Sequence, residues 1–428
     1  MTNRVLSTYL SHLFRFGNLT VTDPDGRSSR WGDGTGKPLH IRFNSKSAEW
    51  GVAINPGLKF GEAYMNGGVD MVEGSIFDLL SLVFRNGGSD AANEPWMQAI
   101  ARMRLLYRRY IQNNTPQRAR ANVHHHYDLS SQLYDLFLDT DRQYSCAYFE
   151  TPTASLEQAQ LAKKRHIAAK LFFDRPDLRT LDVGCGWGGL GLYLAQHLDA
   201  KVTGVTLSDE QLAIAQRRAA DSGLTGHADF RLEDYRDTQG PFDRIVSVGM
   251  FEHVGLDFYE DYFGQCARLL DDDGVMLLHT IGRIEEPANT NAFIGKYIFP
   301  GGYLPSLSQV TKATERCGLI VTDVEVLRLH YADTLRHWRE RFEARREEAK
   351  AIYDERFCRM WEFYLAVSET AFRWQDLVVF QVQLTKKLDT LPITRDYIYE
   401  TETRLRQKEQ AAERAGRSES WGGRNAAE

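Results

Sequence analysis

The chain has 428 residues, 43% of them hydrophobic and 26% charged, and its 52 basic and 58 acidic residues leave a formal net charge of −6. That is the composition of a folded globular protein, and at roughly 100 to 200 residues per domain the length predicts two or three of them. The acidic balance excludes whole-molecule attraction to nucleic acid or an anionic membrane, while five scattered cysteines, Cys146, Cys185, Cys266, Cys317 and Cys358, form no CxxC pair and fit a reduced compartment rather than a disulfide framework or zinc knuckle.

The N-terminus, MTNRVLSTYLSHLF, lacks a continuous apolar core and a small-residue cleavage site, so no signal peptide is expected. The longest apolar run, Ile76 to Phe84, is interrupted by Asp78 and falls short of the roughly 18 residues that cross a bilayer. Residues 1–115 read as a small α+β domain: the turn-rich TVTDPDGRSSRWGDGTGKPLHIRF suggests hairpins, and Gly74 to Asn86 suggests a helix. Arg102, Arg104, Arg108, Arg109, Arg118 and Arg120, interleaved with Met103, Leu105, Leu106 and Tyr107, are the local candidate for an anionic surface, each charge worth about 1 kcal/mol there. A solvated helix face or linker is the plain alternative. The polar segment Asn113-Asn114-Thr115-Pro116-Gln117 marks the boundary. The triple His124-His125-His126 carries no metal expectation, because adjacent histidines diverge and neither an HxxxH spacing nor a cysteine partner accompanies them.

Helical periodicity returns at Leu156 to Phe172. From Leu181 short apolar runs alternate with amphipathic stretches: LDV, KVTGVT, ADFRLE, FDRIVSVGM, GVMLLHTI, LIVTDVEVL and VVFQVQLT. That rhythm predicts βα units and a mostly parallel seven-stranded sheet. Ligands of such a sheet bind outside the carboxyl ends of its strands, where Gly184 to Gly189, Thr206, Tyr235, Glu252 and His279 fall. The insertion 282–306, with its aromatic KYIFPGGYLP, has neither strand nor helix period and reads as a lid. Asp333 to Trp374 is a long charged amphipathic region, and the polar tail 401–428 is expected to be mobile.

The segment Leu181-Asp182-Val183-Gly184-Cys185-Gly186-Trp187-Gly188-Gly189 places glycines where an apolar strand gives way to a helix. Such a turn lets the backbone approach a nucleotide-type ligand. Gly184, Gly186 and Gly189 fit the dinucleotide spacing, but the next strand, Lys201 to Thr206, ends without the acidic residue that would hold a ribose hydroxyl. The D-V-G-C-G-W-G loop with this ending resembles the S-adenosylmethionine-dependent methyltransferases, and GVTLSDEQ resembles one lipid-modifying branch of them.

HYDLS, YSCAYF, MFEHVG, HTIG, KYIFPGGYLP, HYADTLRHW and FRWQDL follow in order. Together they make the chain similar, over essentially its whole length, to the cyclopropane-fatty-acyl-phospholipid synthase family. That resemblance implies an α/β architecture, a seven-stranded Rossmann-like S-adenosylmethionine methyltransferase fold at 116–400 with the lid at 282–306, behind a lipid-binding-like α+β domain at 1–115. It implies transfer of a methylene from S-adenosylmethionine to the cis double bond of an unsaturated phospholipid acyl chain. It also implies a homodimer in the cytoplasm, peripheral on the inner face of the membrane, with no nucleic acid partner.

In such chemistry the alkylated chain becomes a carbocation that must lose a proton. The resemblance implies that bound bicarbonate is the base, in a cage of Cys146, Glu252, His279, Ile281 and Tyr331. Cys146 and Ile281 would act through backbone groups, Tyr331 and His279 as donors. Glu252 tolerates an anion only if a proton lies between them, so it would orient and tune bicarbonate, or serve as the base itself. The cofactor would meet Tyr144 and Ser145 at its methionine end, Gly184, Cys185 and Gly186 at the loop, Thr206, Leu207 and Gln211 at the ribose, and Tyr235 at the adenine. Phe149, Phe251, Tyr297, Phe299 and Tyr303 are candidate walls that exclude water and face a cation. Ser368 occupies a C-terminal position where some relatives carry cysteine, which excludes a thiol nucleophile there. Three other readings remain open: a lipid methyltransferase giving a methyl-branched or methylene product, a small-molecule N-methyltransferase, and a noncatalytic lipid-binding protein.

Overall fold

The computed structural model describes residues 3–87, 130–285 and 291–425. The basic stretch at 102–120, the boundary at 113–117 and the histidine triple at 124–126 lie outside them. The N-terminal unit is a four-stranded sheet, β1 (Asn18–Thr22), β2 (Ser28–Trp31), β3 (Pro38–Phe43) and β4 (Val69–Glu73), in the order β2-β1-β3-β4. β1 and β2 make the expected hairpin, closed where Asp23 Oδ1 accepts the backbone N–H groups of Asp25 and Arg27. β1 and β3 instead run parallel, so the turn-rich segment is one hairpin followed by a crossover. The helix expected from Gly74 spans Ile76–Gly87.

All seven apolar runs of the larger unit are strands: β5 (Arg179–Val183), β6 (Lys201–Thr206), β7 (Ala228–Leu232), β8 (Phe242–Val248), β9 (Leu270–Arg283), β10 (Ile320–Val326) and β11 (Leu377–Thr385). Their order is β10-β11-β9-β8-β5-β6-β7. The pairs from β9 through β8, β5 and β6 to β7 are parallel, and β11 runs antiparallel to both β9 and β10. β5 and β8 are buried along nearly their whole length, because helices cover both faces of a parallel sheet; that is why they read as unbroken apolar runs. The chain leaves β5 toward β6 and β7, then returns to β8 on the other side. This reversal opens a crevice at the carboxyl ends of the central strands.

The helix Leu156–Lys170 opens with a capping box between Ser155 and Gln158. It buries Lys163, Lys164, Arg165, His166 and Lys170 along with its apolar residues. The reason lies in the C-terminal segment, expected from its polarity to be a mobile tail, which begins within a helix, Asp396–Asn425. Leu405 is fully buried, Glu402 meets His166, and Glu409 accepts from Tyr193 and pairs with Arg165. Glu402 and Glu409 are thus satisfied by His166 and Arg165 on the polar face of a neighbouring helix. The charged region after Asp333 forms the helices His330–Ala344, Arg346–Ile352 and Glu355–Trp374. The last of these packs against the N-terminal unit, whose apolar core takes in Phe293, Phe363 and Val367.

Candidate active site

A cavity of about 410 Å³ lies where β5, β6, β7 and β8 end. Tyr144, Ser145, Gly184, Cys185, Gly186, Thr206, Leu207, Gln211 and Tyr235 all line it. Gly184 and Gly186 have φ of 80° and 55°, a conformation that side chains disfavour. A Cβ on Gly186 would project into open space, with nothing within 4 Å, so the backbone is bare there, whereas one on Gly184 would come within 2.9 Å of Met250. Thr206 donates its hydroxyl to Gln211 Oε1 at 2.9 Å, which leaves the Gln211 amide NH2 as the donor at that point. Tyr235 is set edge-on against Tyr262, and Arg236 lies 5.6 Å from its ring centre. Bare glycine backbone, the Gln211 amide and the Tyr235 ring lining one cavity at the strand ends fit an adenosine bearing an amino-acid arm.

Among the ionisable lining residues that the sequence does not mark as site residues, Lys163 and Asp182 are deeply buried. Lys163 is 1% exposed, and its Nζ donates to Gln143 Oε1 and, at 2.9 Å, to Ser145 Oγ. Burial lowers its pKa to about 8. Asp182, inside the glycine motif, has a buried Oδ2 with no partner, and burial raises its pKa to about 7. Nothing in helical periodicity marks Lys163, because its neighbours Lys164 and Arg165 look alike in sequence and pair with carboxylates instead.

A second cavity, about 450 Å³, shares Tyr144, Ser145, Gly249 and His253 with the first. Cys146, Glu252, His279, Ile281 and Tyr331 all line it. Glu252, in a short 3-10 turn after β8, accepts from the Ile281 N–H at 2.6 Å through Oε1, while Oε2 is buried without a partner. Burial raises its pKa to about 7. His279 on β9 receives the Gln381 amide at Nδ1, 3.1 Å away, which places the ring proton on Nε2, a buried atom with no protein partner. Loss of solvation pushes its pKa well down, so the ring is neutral. His253, at the junction of the two cavities, is lowered to about 4 in the same way.

Cys146 is held by its neighbours: Thr334 accepts the Ala147 N–H at 3.0 Å, His330 accepts the Phe149 N–H at 2.9 Å, and Gln160 donates to the Ser145 carbonyl at 2.9 Å. Its thiol donates to the Ala147 carbonyl, and burial drives the pKa upward, so it is not a thiolate. Tyr331 stands in the first turn of the helix His330–Ala344, between Trp338 and Phe372. Ile281 differs from expectation in one respect. Its N–H is already spent on Glu252, so this amide holds the carboxylate in place.

The apolar part of the wall includes Phe84, Ile294, Phe299, Leu304, Val367 and Phe372, while Arg283, Glu285, Asn291, Gln375 and Asp376 add a polar and charged stretch to the lining. Of the five aromatics expected there, Phe299 is the one lining it. Phe251 and Tyr303 are fully buried in the core beside the sheet, Phe149 stacks on His337, and Tyr297 turns its hydroxyl to Glu62. Ser368 lines the cavity. Among the described residues no group of side chains is arranged to hold a metal, and no helix is long and apolar enough to cross a membrane.

Residues 114–382 match the family described as Mycolic acid cyclopropane synthetase, and residues 5–95 match a domain of unknown function. The cyclopropane-fatty-acyl-phospholipid synthase of Escherichia coli strain K12 is 38% identical over 82% of this chain and 89% of its own length. Tuberculostearic acid methyltransferase UfaA1 of Mycobacterium tuberculosis is 34% identical over 90% of this chain and 91% of its own. Among solved structures, the mycolic acid cyclopropane synthase CmaA1 complexed with SAH and CTAB superposes with a TM-score of 0.59 at 37% identity, covering 62% of this chain and 97% of that one.

Proposed function

We propose, from the premise that this chain belongs to the mycolic acid cyclopropane synthetase family and is an S-adenosylmethionine-dependent transferase, that it builds cyclopropane rings on the cis double bonds of phospholipid acyl chains. The observation that carries this reading is the shared wall of Tyr144, Ser145, Gly249 and His253. It joins the cavity lined by the glycine loop to a chamber in which Glu252, His279 and Tyr331 lie beside the apolar Ile294, Phe299, Leu304 and Phe372. S-adenosylmethionine, when bound, supplies an electrophilic sulfonium methyl.

The alkene takes up the methyl carbon, and ring closure turns one methyl C–H pair into the second ring bond, so a proton must leave. Bicarbonate, when bound, supplies the base for it. The residues present fit that ion: Glu252 Oε2 can accept its single O–H, while His279 Nε2–H and the Tyr331 hydroxyl can donate to its other oxygens. A carboxyl raised to about 7 can hold or share a proton near neutrality, so Glu252 is also suited to be the direct base. The apolar side chains of the wall, Ile294, Phe299, Leu304 and Phe372 among them, keep water from the cation, which would otherwise become an alcohol. The enzyme reaches its lipid as a peripheral, homodimeric protein on the inner face of the membrane, with the N-terminal domain in contact with lipid. A methyl-branched or methylene product is the second reading, favoured by the alignment of a methyltransferase with 90% of the chain.

The test is turnover on unsaturated phospholipid vesicles in buffer stripped of carbon dioxide. Wild-type turnover should fall and recover on addition of bicarbonate, and Glu252→Gln should not recover. Turnover indifferent to bicarbonate would remove the ion from the mechanism and leave Glu252 as the base.

A further inference from the structure

We infer that Glu62 of the N-terminal domain is a positioning residue for the cover of the reaction cavity, so that this domain completes the active site. The cover is the segment from Asn291 to Leu304, of which Asn291, Ile294, Phe299, Gly302 and Leu304 line the cavity holding Glu252, His279 and Tyr331. Its helix, Ala292–Tyr297, is too short to be stable alone and takes its place from what it docks on.

What it docks on is the helix Pro56–Met65. Glu62, 8% exposed, accepts from Lys296 Nζ at 2.6 Å and the Tyr297 hydroxyl at 2.9 Å through Oε1, and from Lys59 Nζ at 2.7 Å through Oε2. One turn of the cover thus presents two donors to a single carboxylate oxygen while Ile294 faces the chamber. Beside this latch Phe293 is fully buried against Gly61 and Phe363. A Cβ on Gly61 would come within 2.5 Å of the Phe293 ring, so only glycine admits it. The far end of the segment reaches the chemistry directly, since the Tyr303 N–H donates to the Glu252 carbonyl at 3.0 Å. A cover released from Glu62 therefore loosens both the water seal and the turn that carries Glu252.

The product readout rests on the cation chemistry proposed above; the exchange readout does not. Amide hydrogen exchange of residues 291–304 is compared in the full-length wild type, Glu62→Gln, Tyr297→Phe and the double variant Glu62→Gln/Lys296→Met. The same proteins are assayed for S-adenosylhomocysteine affinity and for the ratio of hydroxylated to ring product on unsaturated vesicles. Glu62→Gln should speed exchange of the cover about tenfold or more, lower kcat, raise the hydroxylated fraction and leave S-adenosylhomocysteine affinity unchanged. Tyr297→Phe should show a smaller change of the same sign, and the double variant should be no worse than Glu62→Gln alone, because Lys296 acts through the same carboxylate. Unchanged exchange in Glu62→Gln overturns the latch. Faster exchange with unchanged kcat and product ratio overturns its part in catalysis. A wild type that makes no lipid product sinks the proposed reaction while the exchange result still decides the latch.

Discussion

Replacing Glu252 with glutamine should abolish turnover and, at the same time, remove a loss of stability that the wild type suffers as pH rises. Burial raises this carboxyl from 4.5 to about 7, so the folded state favours its neutral form. The sign follows: below the unfolded pKa both states are protonated and nothing is lost, whereas between 4.5 and 7 the unfolded chain ionises first, and above 7 the full penalty is present. At 1.36 kcal/mol per pKa unit the penalty approaches about 3 kcal/mol. Glutamine keeps the oxygen that accepts the Ile281 N–H and carries no charge at any pH. Its amide brings two new buried donors, a cost of about 1 to 3 kcal/mol that does not depend on pH. The quantity to measure is therefore the difference in unfolding free energy, variant minus wild type, by urea titration at about pH 4 and about pH 8. That difference should grow by up to about 3 kcal/mol toward the higher pH. Parallel pH profiles would refute the claim that Glu252 is held in a site that penalises its charge.

Two further substitutions separate roles that burial alone does not. Cys146→Ser keeps the donor to the Ala147 carbonyl and the backbone fixed by Thr334 and His330, so kcat should stay near the wild-type value; loss of activity with normal folding would show that sulfur itself matters. Lys163→Met removes the ammonium that anchors Ser145 and Gln143. By calorimetry the Kd for S-adenosylhomocysteine should rise about tenfold, the worth of one charge-assisted hydrogen bond, and an unchanged Kd would restrict Lys163 to packing.

The strands of the larger sheet were legible because each is a short apolar run, and a parallel sheet covered on both faces writes that pattern directly. The residues expected to meet cofactor and bicarbonate line the two cavities, as their motifs suggest, and the strand-end rule places Gly184, Thr206 and Tyr235 at one and Glu252 and His279 at the other. Three kinds of feature were not legible. The parallel pairing of β1 with β3 depends on a crossover that turn residues do not encode. The C-terminal helix is polar nearly all round, and its partner is a helix whose buried Arg165 and His166 look like surface residues in sequence. Four of the five expected wall aromatics lie elsewhere because an aromatic beside a motif can face the core as readily as the cavity: Phe251 packs on Tyr259 with ring centres 4.2 Å apart, away from the chamber that Glu252 lines. Lys163 could have been suspected only from a lysine in a segment that buries every neighbour.

Cyclopropane-ring formation on a phospholipid acyl chain is the reaction proposed for the two joined cavities. Its most direct test supplies S-adenosylmethionine carrying a trideuterated methyl group to the enzyme and vesicles of a cis-unsaturated phospholipid, then analyses the acyl chains by mass spectrometry and carbon NMR. Ring closure with proton loss from the methyl group predicts a product that keeps two of the three deuterons and shows no olefinic carbon. Three retained deuterons, or an olefinic carbon in the alkylated chain, would contradict it and assign the enzyme to the methyl-branching or methylene chemistry instead.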